Sequence, residues 1–264
     1  MGIKWRDFQL PKRLECDEAT YTSTYGKFSA APFERGYGVT LGNGLRRVLL
    51  SSIEGGAVTS IKISGGQHEF ATIPGVLEDV TEIILNIKSL ILNSHSKIPK
   101  TIYIKKDSKG PVTAKDIEAD DTIEIINPEL HIATLTKDTK FNMEMEVARG
   151  RGYVPAELNK KEDAVAGVVP IDSIFTPVKK VNFYVENTRV GQRTDYDKLV
   201  LEIWTNGAIN PKDALLYASN ILQRHLDIFV NFGQLPEDVE EEPEMTKEEA
   251  ALYEKLKLPI SELE

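Results

Sequence analysis

A single cysteine, Cys16, stands in 264 residues. No internal disulfide can form, so a disulfide-stapled framework is excluded. Histidine is nearly as scarce: His68, His95, His131 and His225 lie singly, none with a cysteine or second histidine at zinc-ligand spacing. Carboxylates clustered around glycine, the mark of a cation loop, are also missing, and Asp120-Asp121 reads as a turn. There is neither a GxSxG elbow nor a GxxxxGK[ST] phosphate loop. No catalytic residue, metal or cofactor is therefore expected. Uninterrupted apolar runs are absent too: residues 80–92 and 215–232 are broken by Glu82, Lys88, Arg224 and Asp227, which a bilayer would tolerate poorly. The N-terminus shows no basic stretch followed by an apolar core. The expectation is a cytoplasmic protein with no membrane role.

Basic charge is in deficit, with 32 Lys+Arg against 41 Asp+Glu and a formal charge of −9. The deficit is local. Residues 235–264 hold 11 acidic and 3 basic residues, leaving 30 acidic and 29 basic before them. The last thirty residues read as an acidic flexible linker. The nearly neutral remainder, 41% hydrophobic over the whole chain, has the composition of a globular body and argues against a surface devoted to nucleic acid.

Up to about residue 53 the chain offers strand-like pieces, such as YTSTYGKFSA from Tyr21, and then helical spacing. From Gly55-Gly56 to about Asp172 it turns to short alternating runs: TIYIKK from Thr101, DTIEII from Asp121, and Phe141, Met143, Met145, Val147 alternating with polar residues. This β-rich block holds one predicted helix over 78–92 and two turn-rich loops, DSKGP from Asp107 and RGRGYVP from Arg149. Long strands return at KKVNFYVE from Lys179 and KLVLEIW from Lys198, followed by a helix from Pro211 to about Phe232. Its start is marked by Asn210 as cap, Pro211 in the first position and Asp213 in the third. Apolar residues from Ala214 to Phe232 cover roughly half its cylinder, wider than the ~100° stripe a surface helix needs. Either it is the central helix of a monomer core, or half of the stripe faces a partner.

In LGNGLRRVLLSS, helical spacing sets Leu41, Gly44, Leu45, Val48, Leu49 and Ser52 on one side and Asn43, Arg46, Arg47 and Leu50 on the other. An arginine face with an apolar centre has the composition of a protein-interface anchor; an incidental exposed leucine between solvated arginines is the plainer alternative. The preceding glycines, GYGVTLGNG, match neither nucleotide-loop spacing. The predicted middle helix has a core stripe of Val80, Ile83, Ile84, Ile87, Leu90 and Ile91, with Leu85 and Lys88 off it. Arg149 and Arg151 could grip phosphate or carboxylate, although no aromatic platform adjoins them.

Taken in order, FERGYGVTLGNGLRRVLLSS from Phe33, QHEFATIPGVLEDVTEIILNIK from Gln67, RGRGYVPA, PIDSIFTPV and VENTRVGQRTDYDKLVLEIWTNG resemble the N-terminal region of the bacterial RNA polymerase α-subunit family, over residues 1 to about 232. The resemblance implies an α+β protein with a discontinuous dimerisation domain, residues 1–53 and 174–234, into which a β-rich domain of residues 54–173 is inserted. It implies a homodimer without an active site that binds the β and then the β′ subunit and meets DNA only indirectly, through the assembled enzyme. The β-binding residues it implies are Arg35, Asn43, Arg46, Arg47 and Leu50. Contacts to β′ or the large subunits fall at Lys88, Asp172, Val178 and Lys198, and the dimer interface at Leu41, Leu45, Val48, Leu49, Ile221, Leu222, His225 and Phe229. The family continues past an acidic linker into a small DNA-contacting domain, whereas this sequence stops at PISELE, so that function is not expected of it. The rival reading is a stand-alone nucleic-acid-binding module using Arg46, Arg47, Arg149 and Arg151.

Overall fold

A computed structural model describes residues 9–66, 68–161, 165 and 167–231. The predicted linker, 235–264, and Phe232 lie outside the described residues. The chain divides into two compact units, residues 1–222 and 223–264. The second contributes the end of one helix to the described residues, and the sheets belong to the first.

In chain order the elements are β1 (Leu14–Cys16), β2 (Tyr25–Phe33), α1 (Tyr37–Ser51), β3 (Glu54–Ile63), α2 (Val80–Lys88), β4 (Leu92–Ser94), β5 (Lys100–Lys106) and β6 (Gly110–Thr113). A 3-10 turn, Ala114–Asp116, leads to β7 (Ile117–Glu118), β8 (Ile123–Ile125), β9 (His131–Leu135), β10 (Phe141–Arg151), β11 (Tyr153–Val154) and the one-turn α3 (Ala156–Asn159). The chain continues through β12 (Val168–Pro170), β13 (Ser173–Ile174), β14 (Val178–Val190), β15 (Arg193–Thr205) and α4 (Pro211–Val230). The fold is mixed α+β. One antiparallel sheet runs β1-β2-β15-β14, a second runs β12-β3-β10-β5-β7, and three two-stranded ladders join β11 to β13, β4 to β8 and β6 to β9.

Two hydrophobic clusters follow from this pairing. The first is drawn from residues 58–171, where the alternation in β10 buries Phe141, Met143, Met145 and Val147 and leaves Asn142 and Glu144 in solvent. Against it α2 lays Val80, Ile83, Ile84 and Ile87, its start capped by the Asp79 carboxylate, which accepts from the Glu82 N–H at 2.7 Å. The helix is shorter than its apolar pattern, 78–92, predicts. Ser89 and Leu90 N–H tighten onto the carbonyls of Asn86 and Ile87, and the Asn127 side chain accepts from Ile91 N–H at 2.8 Å and donates to Ser89 O at 3.0 Å. Residues 92–94 then pair with β8. A cross-chain amide thus captures the apolar stretch as strand, something helical periodicity cannot register.

The segment entering α2 is pinned to β9. Leu77 N–H bonds Thr134 O at 3.0 Å, while the Glu78 carboxylate accepts from Thr134 N–H at 2.6 Å, Thr134 Oγ1 at 2.9 Å and His131 Nε2 at 2.9 Å. Burial by itself would raise the Glu78 pKa, but the hydrogen bonds from His131 and Thr134 outweigh it and hold it below the ordinary carboxylate value. A carboxylate with a depressed folded-state pKa adds stability that is complete above its unfolded value, ~4.3, and fades as pH falls through the lower folded value. Acid titration of the unfolding midpoint should therefore show Glu78→Gln less stable than the parent at neutral pH, the gap narrowing below pH ~4.

The second cluster joins Phe28, Leu49, Ile53, Val178, Val181, Leu201, Ile203, Ala214, Leu215 and Ala218, which places α1 and α4 on the sheet formed by β2, β15 and β14. Helix α1 begins at Tyr37, four residues before the stretch read as helical from sequence, and takes in the glycine run. Those glycines serve packing: a Cβ on Gly42 would lie 2.4 Å from the Phe183 ring, and one on Gly38 3.1 Å from Val185 Cγ2. Gly42→Val should lower the unfolding free energy by about 3 kcal/mol, the range of core overpacking, read as a fall in the urea midpoint. Helix α4 starts as its signals predict, with Ala214 N–H on Asn210 O at 2.9 Å and the Asn210 amide donating to the Asp213 carboxylate at 3.4 Å.

The RGRG segment is strand, not loop. Arg149, Gly150 and Arg151 pair with Gly56, Gly55 and Glu54 of β3, and the turn comes only at Gly152, φ +63°. Both strands need glycine because Phe175 closes over them: a Cβ on Gly150 would be 2.9 Å from its ring and one on Gly55 2.1 Å from its carbonyl oxygen.

Candidate protein-binding faces

The outer side of α1 carries Asn43, Arg46 and Arg47, all exposed, with Leu50 half-buried beside them. The helix has no capping side chain of its own. Its first residue follows Gly36, at φ +91°, and its first turn contains no acidic residue. The missing acceptor is supplied from β15: the Asp197 carboxylate Oδ2 accepts from Gly36 N–H at 2.8 Å and Gly38 N–H at 3.2 Å. Asp197 is only 6% exposed. The β2–β15 register shifts between Asp197 and Leu199, the kind of irregularity that re-aims a side chain. Exposed Arg35 immediately precedes this cap.

Among the described residues neither Arg46 nor Arg47 forms an ion pair or side-chain hydrogen bond. Arg149 and Arg151 differ. Both guanidinium groups hold Glu54, at 2.8 Å and 2.5 Å, and the hydrogen bond from Arg151, then the charges of both arginines, pull its pKa down against burial. Two arginines spent on one internal carboxylate are poorly placed to grip phosphate.

On the inner side of α1, Leu41, Leu45 and Val48 are half-buried, and Leu45 and Val48 pack on the second cluster. Leu49, at 0% exposure, belongs to the chain's own core. Along α4, Ala214, Leu215 and Ala218 are buried and Ile221 and Leu222 half-buried, while Leu216, Tyr217, Leu226, Ile228, Phe229 and Val230 are exposed. Leu222 approaches α1 at Gly44, where a Cβ would lie 3.6 Å from its Cδ2. His225 is exposed. Among the described residues the wide stripe is thus divided, one part packed on the sheet and another exposed.

Of the four residues expected to meet large subunits, the structure brings two together. Lys88 and Asp172 form an ion pair, and Asp172, although burial opposes it, is kept below the usual carboxylate range by hydrogen bonds that include those of Lys88 and Tyr153. Lys198 pairs with Glu186 across β14 and β15 at 3.2 Å. Val178 is 1% exposed and lies inside the second cluster. Sequence reasoning missed Asp197 and Tyr153; the only signal for the first was a helix start, RGYG, with no acceptor of its own.

Exposed apolar positions on α4 and, among the described residues, unpaired arginines on α1 are the features of a protein that binds other chains. The comparisons make that class particular. Residues 61–176 match the family described as the RNA polymerase Rpb3/RpoA insert domain. Over its whole length the chain is 52% identical to a DNA-directed RNA polymerase subunit alpha of Geobacter metallireducens, covering 77% of that relative. It is 56% identical to one of Carboxydothermus hydrogenoformans over 98% of this chain and 81% of the relative, and 54% identical to one of Rhodopirellula baltica over 89% and 71%. The chain belongs to the α-subunit family of DNA-directed RNA polymerase.

Proposed function

We propose that this chain is the homodimeric, non-catalytic platform on which the polymerase assembles in the cytoplasm. The observation that carries the reading is the face of α1 on which Arg46 and Arg47 stand exposed and unpaired among the described residues, on a helix anchored to a sheet. Such arginines on a rigid element are the usual anchors of an interface. In this reading Arg35, Asn43, Arg46, Arg47 and Leu50 take the β subunit, and Lys88, Asp172 and Lys198 meet β′ or other large-subunit surface, with Val178 supporting from below. Leu41, Leu45 and Val48 of α1 and Ile221, Leu222, His225 and Phe229 of α4 contribute to the contact between two copies. Residues 1–53 and 174–234 then form the dimerisation domain, 54–173 the inserted one and 235–264 the acidic linker. A dimer of ordinary kind buries ~1,600 Å², which the bare apolar positions of α4 help to fill.

Two copies present two equivalent arginine faces to an asymmetric enzyme, so one copy carries mainly β and the other mainly β′. DNA is met through the assembled enzyme. Light scattering on the purified chain, followed by capture of purified β, tests the reading: a dimer that retains β supports it, and a monomer with no affinity for β sinks it. Tight, steeply salt-dependent DNA binding by the isolated chain would support the nucleic-acid rival instead.

A further inference from the structure

We propose that Asp197 is a positioning residue for capture of the β subunit, acting through α1 without touching the partner. The proposal rests on the reading of the α1 arginine face given above. The contact set straddles the helix start: Arg35 precedes Gly36, while Asn43, Arg46 and Arg47 follow it on the outer side of α1. The spacing between these groups therefore depends on the turn at Gly36. The turn closes on itself through Tyr37 N–H on Glu34 O at 3.0 Å and Thr40 N–H on Gly36 O at 3.2 Å, but Gly36 has left-handed backbone geometry and no side chain to cap with, and a helix start leaves its first N–H groups without intrahelical partners. The buried carboxylate of Asp197 takes two of those N–H groups, at 2.8 Å and 3.2 Å. Negative charge at a helix N-terminus is also favoured by the peptide dipoles. One residue further along β15, Lys198 pairs with Glu186, so the strand that holds the cap is itself held to β14.

The glycines of the first turns complete the device. With hydrogen in place of a side chain, Gly38 lets the carboxylate approach, since a Cβ there would stand 3.1 Å from Asp197 Oδ2. Gly42 seats the next turn on Phe183. Remove the cap and Gly42 still seats α1 on the sheet, but the turn linking Arg35 to the helix loses its two bonds to β15 and keeps only those within itself. An interface that uses several anchors at once loses affinity when their spacing is not preset.

The test uses the full chain and purified β, with three variants. Asp197→Ala should remain a dimer, bind β about tenfold more weakly, and show faster hydrogen exchange in the peptide spanning residues 34–42 than elsewhere. Asp197→Asn keeps an oxygen acceptor and should restore capture to within about threefold of the parent. Arg47→Ala is the control for the underlying reading: if it binds β normally, the face itself is misassigned, whereas its failure beside full capture by Asp197→Ala overturns only the present proposal. Unchanged exchange in residues 34–42 of Asp197→Ala overturns it as well. Should Asp197→Ala lose the dimer, Gly38→Ala takes its place, displacing the carboxylate without removing it; faster exchange in residues 34–42 with undiminished capture then counts against the proposal, and tenfold weaker capture by an intact dimer supports it.

Discussion

Arg47→Ala is expected to leave the dimer intact and to weaken capture of β by at least about 100-fold, or about 2.7 kcal/mol. The size follows from what an interface arginine does: in a desolvated centre it contributes several charge-assisted hydrogen bonds, and truncation leaves the partner's acceptors unpaired. The selectivity follows from its setting. Arg47 is exposed and pairs with nothing among the described residues, so removal of its guanidinium breaks no hydrogen bond or ion pair among them. Arg149 would be a poor substitute for this test, because its removal also disturbs the Glu54 cluster where β3 meets β10. Light scattering and a β pull-down on the same preparation give both readouts. Loss of the dimer together with β binding would show that this side of α1 belongs to the contact between copies.

The second large effect is expected of Phe229→Glu. Phe229 is 77% exposed on α4, so the free chain can accept a carboxylate there with little cost to its own stability. In the proposed dimer the same position is covered, and a charge buried without a partner costs several kcal/mol. The variant should be folded, with an unchanged circular dichroism spectrum, and monomeric at micromolar concentrations where the parent is dimeric. A stable dimer would remove the end of α4 from the interface. The reciprocal substitution Leu215→Glu should unfold the chain instead, as Leu215 lies in the second cluster, and the contrast between the two separates the two parts of one apolar stripe.

Much of the fold can be read directly from residue order. The alternation Phe141, Met143, Met145, Val147 demanded a half-buried strand and is one; Asn210, Pro211 and Asp213 announced the start of α4; the strands read at 179–186 and 198–204 are there, and extend to 178–190 and 193–205. These features depend on neighbours within a few residues. The misreadings share the opposite cause. RGRG looked like a loop because glycine usually marks one, but here glycine makes room for Phe175, more than twenty residues further on. The middle helix looked longer because its apolar spacing persists, yet Asn127 bonds the backbone at Ser89 and Ile91 and turns the chain into a strand. The glycine run shows from sequence only that it fails the nucleotide-loop spacings; Gly38 and Gly42 lie within α1, where Asp197 and Phe183 meet them.

The candidate faces divide in the same way. Residue order placed Arg46 and Arg47 opposite Leu45 and Leu49, since helical geometry follows from spacing alone. It could not tell that Leu49 and Val178 are sealed within the core, that Lys88 meets Asp172, or that a carboxylate on β15 holds the first turn of α1.

The sequence by itself determined the family, the helices and strands whose signals are local, the arginine face and the acidic stretch that carries nearly all of the net charge. The tertiary structure alone decided which apolar residues are used internally and which stay exposed, and which charges are already paired. The physical reason is range: periodicity, capping and charge counts act between near neighbours in the chain, whereas burial and ion pairing depend on residues that only folding brings together.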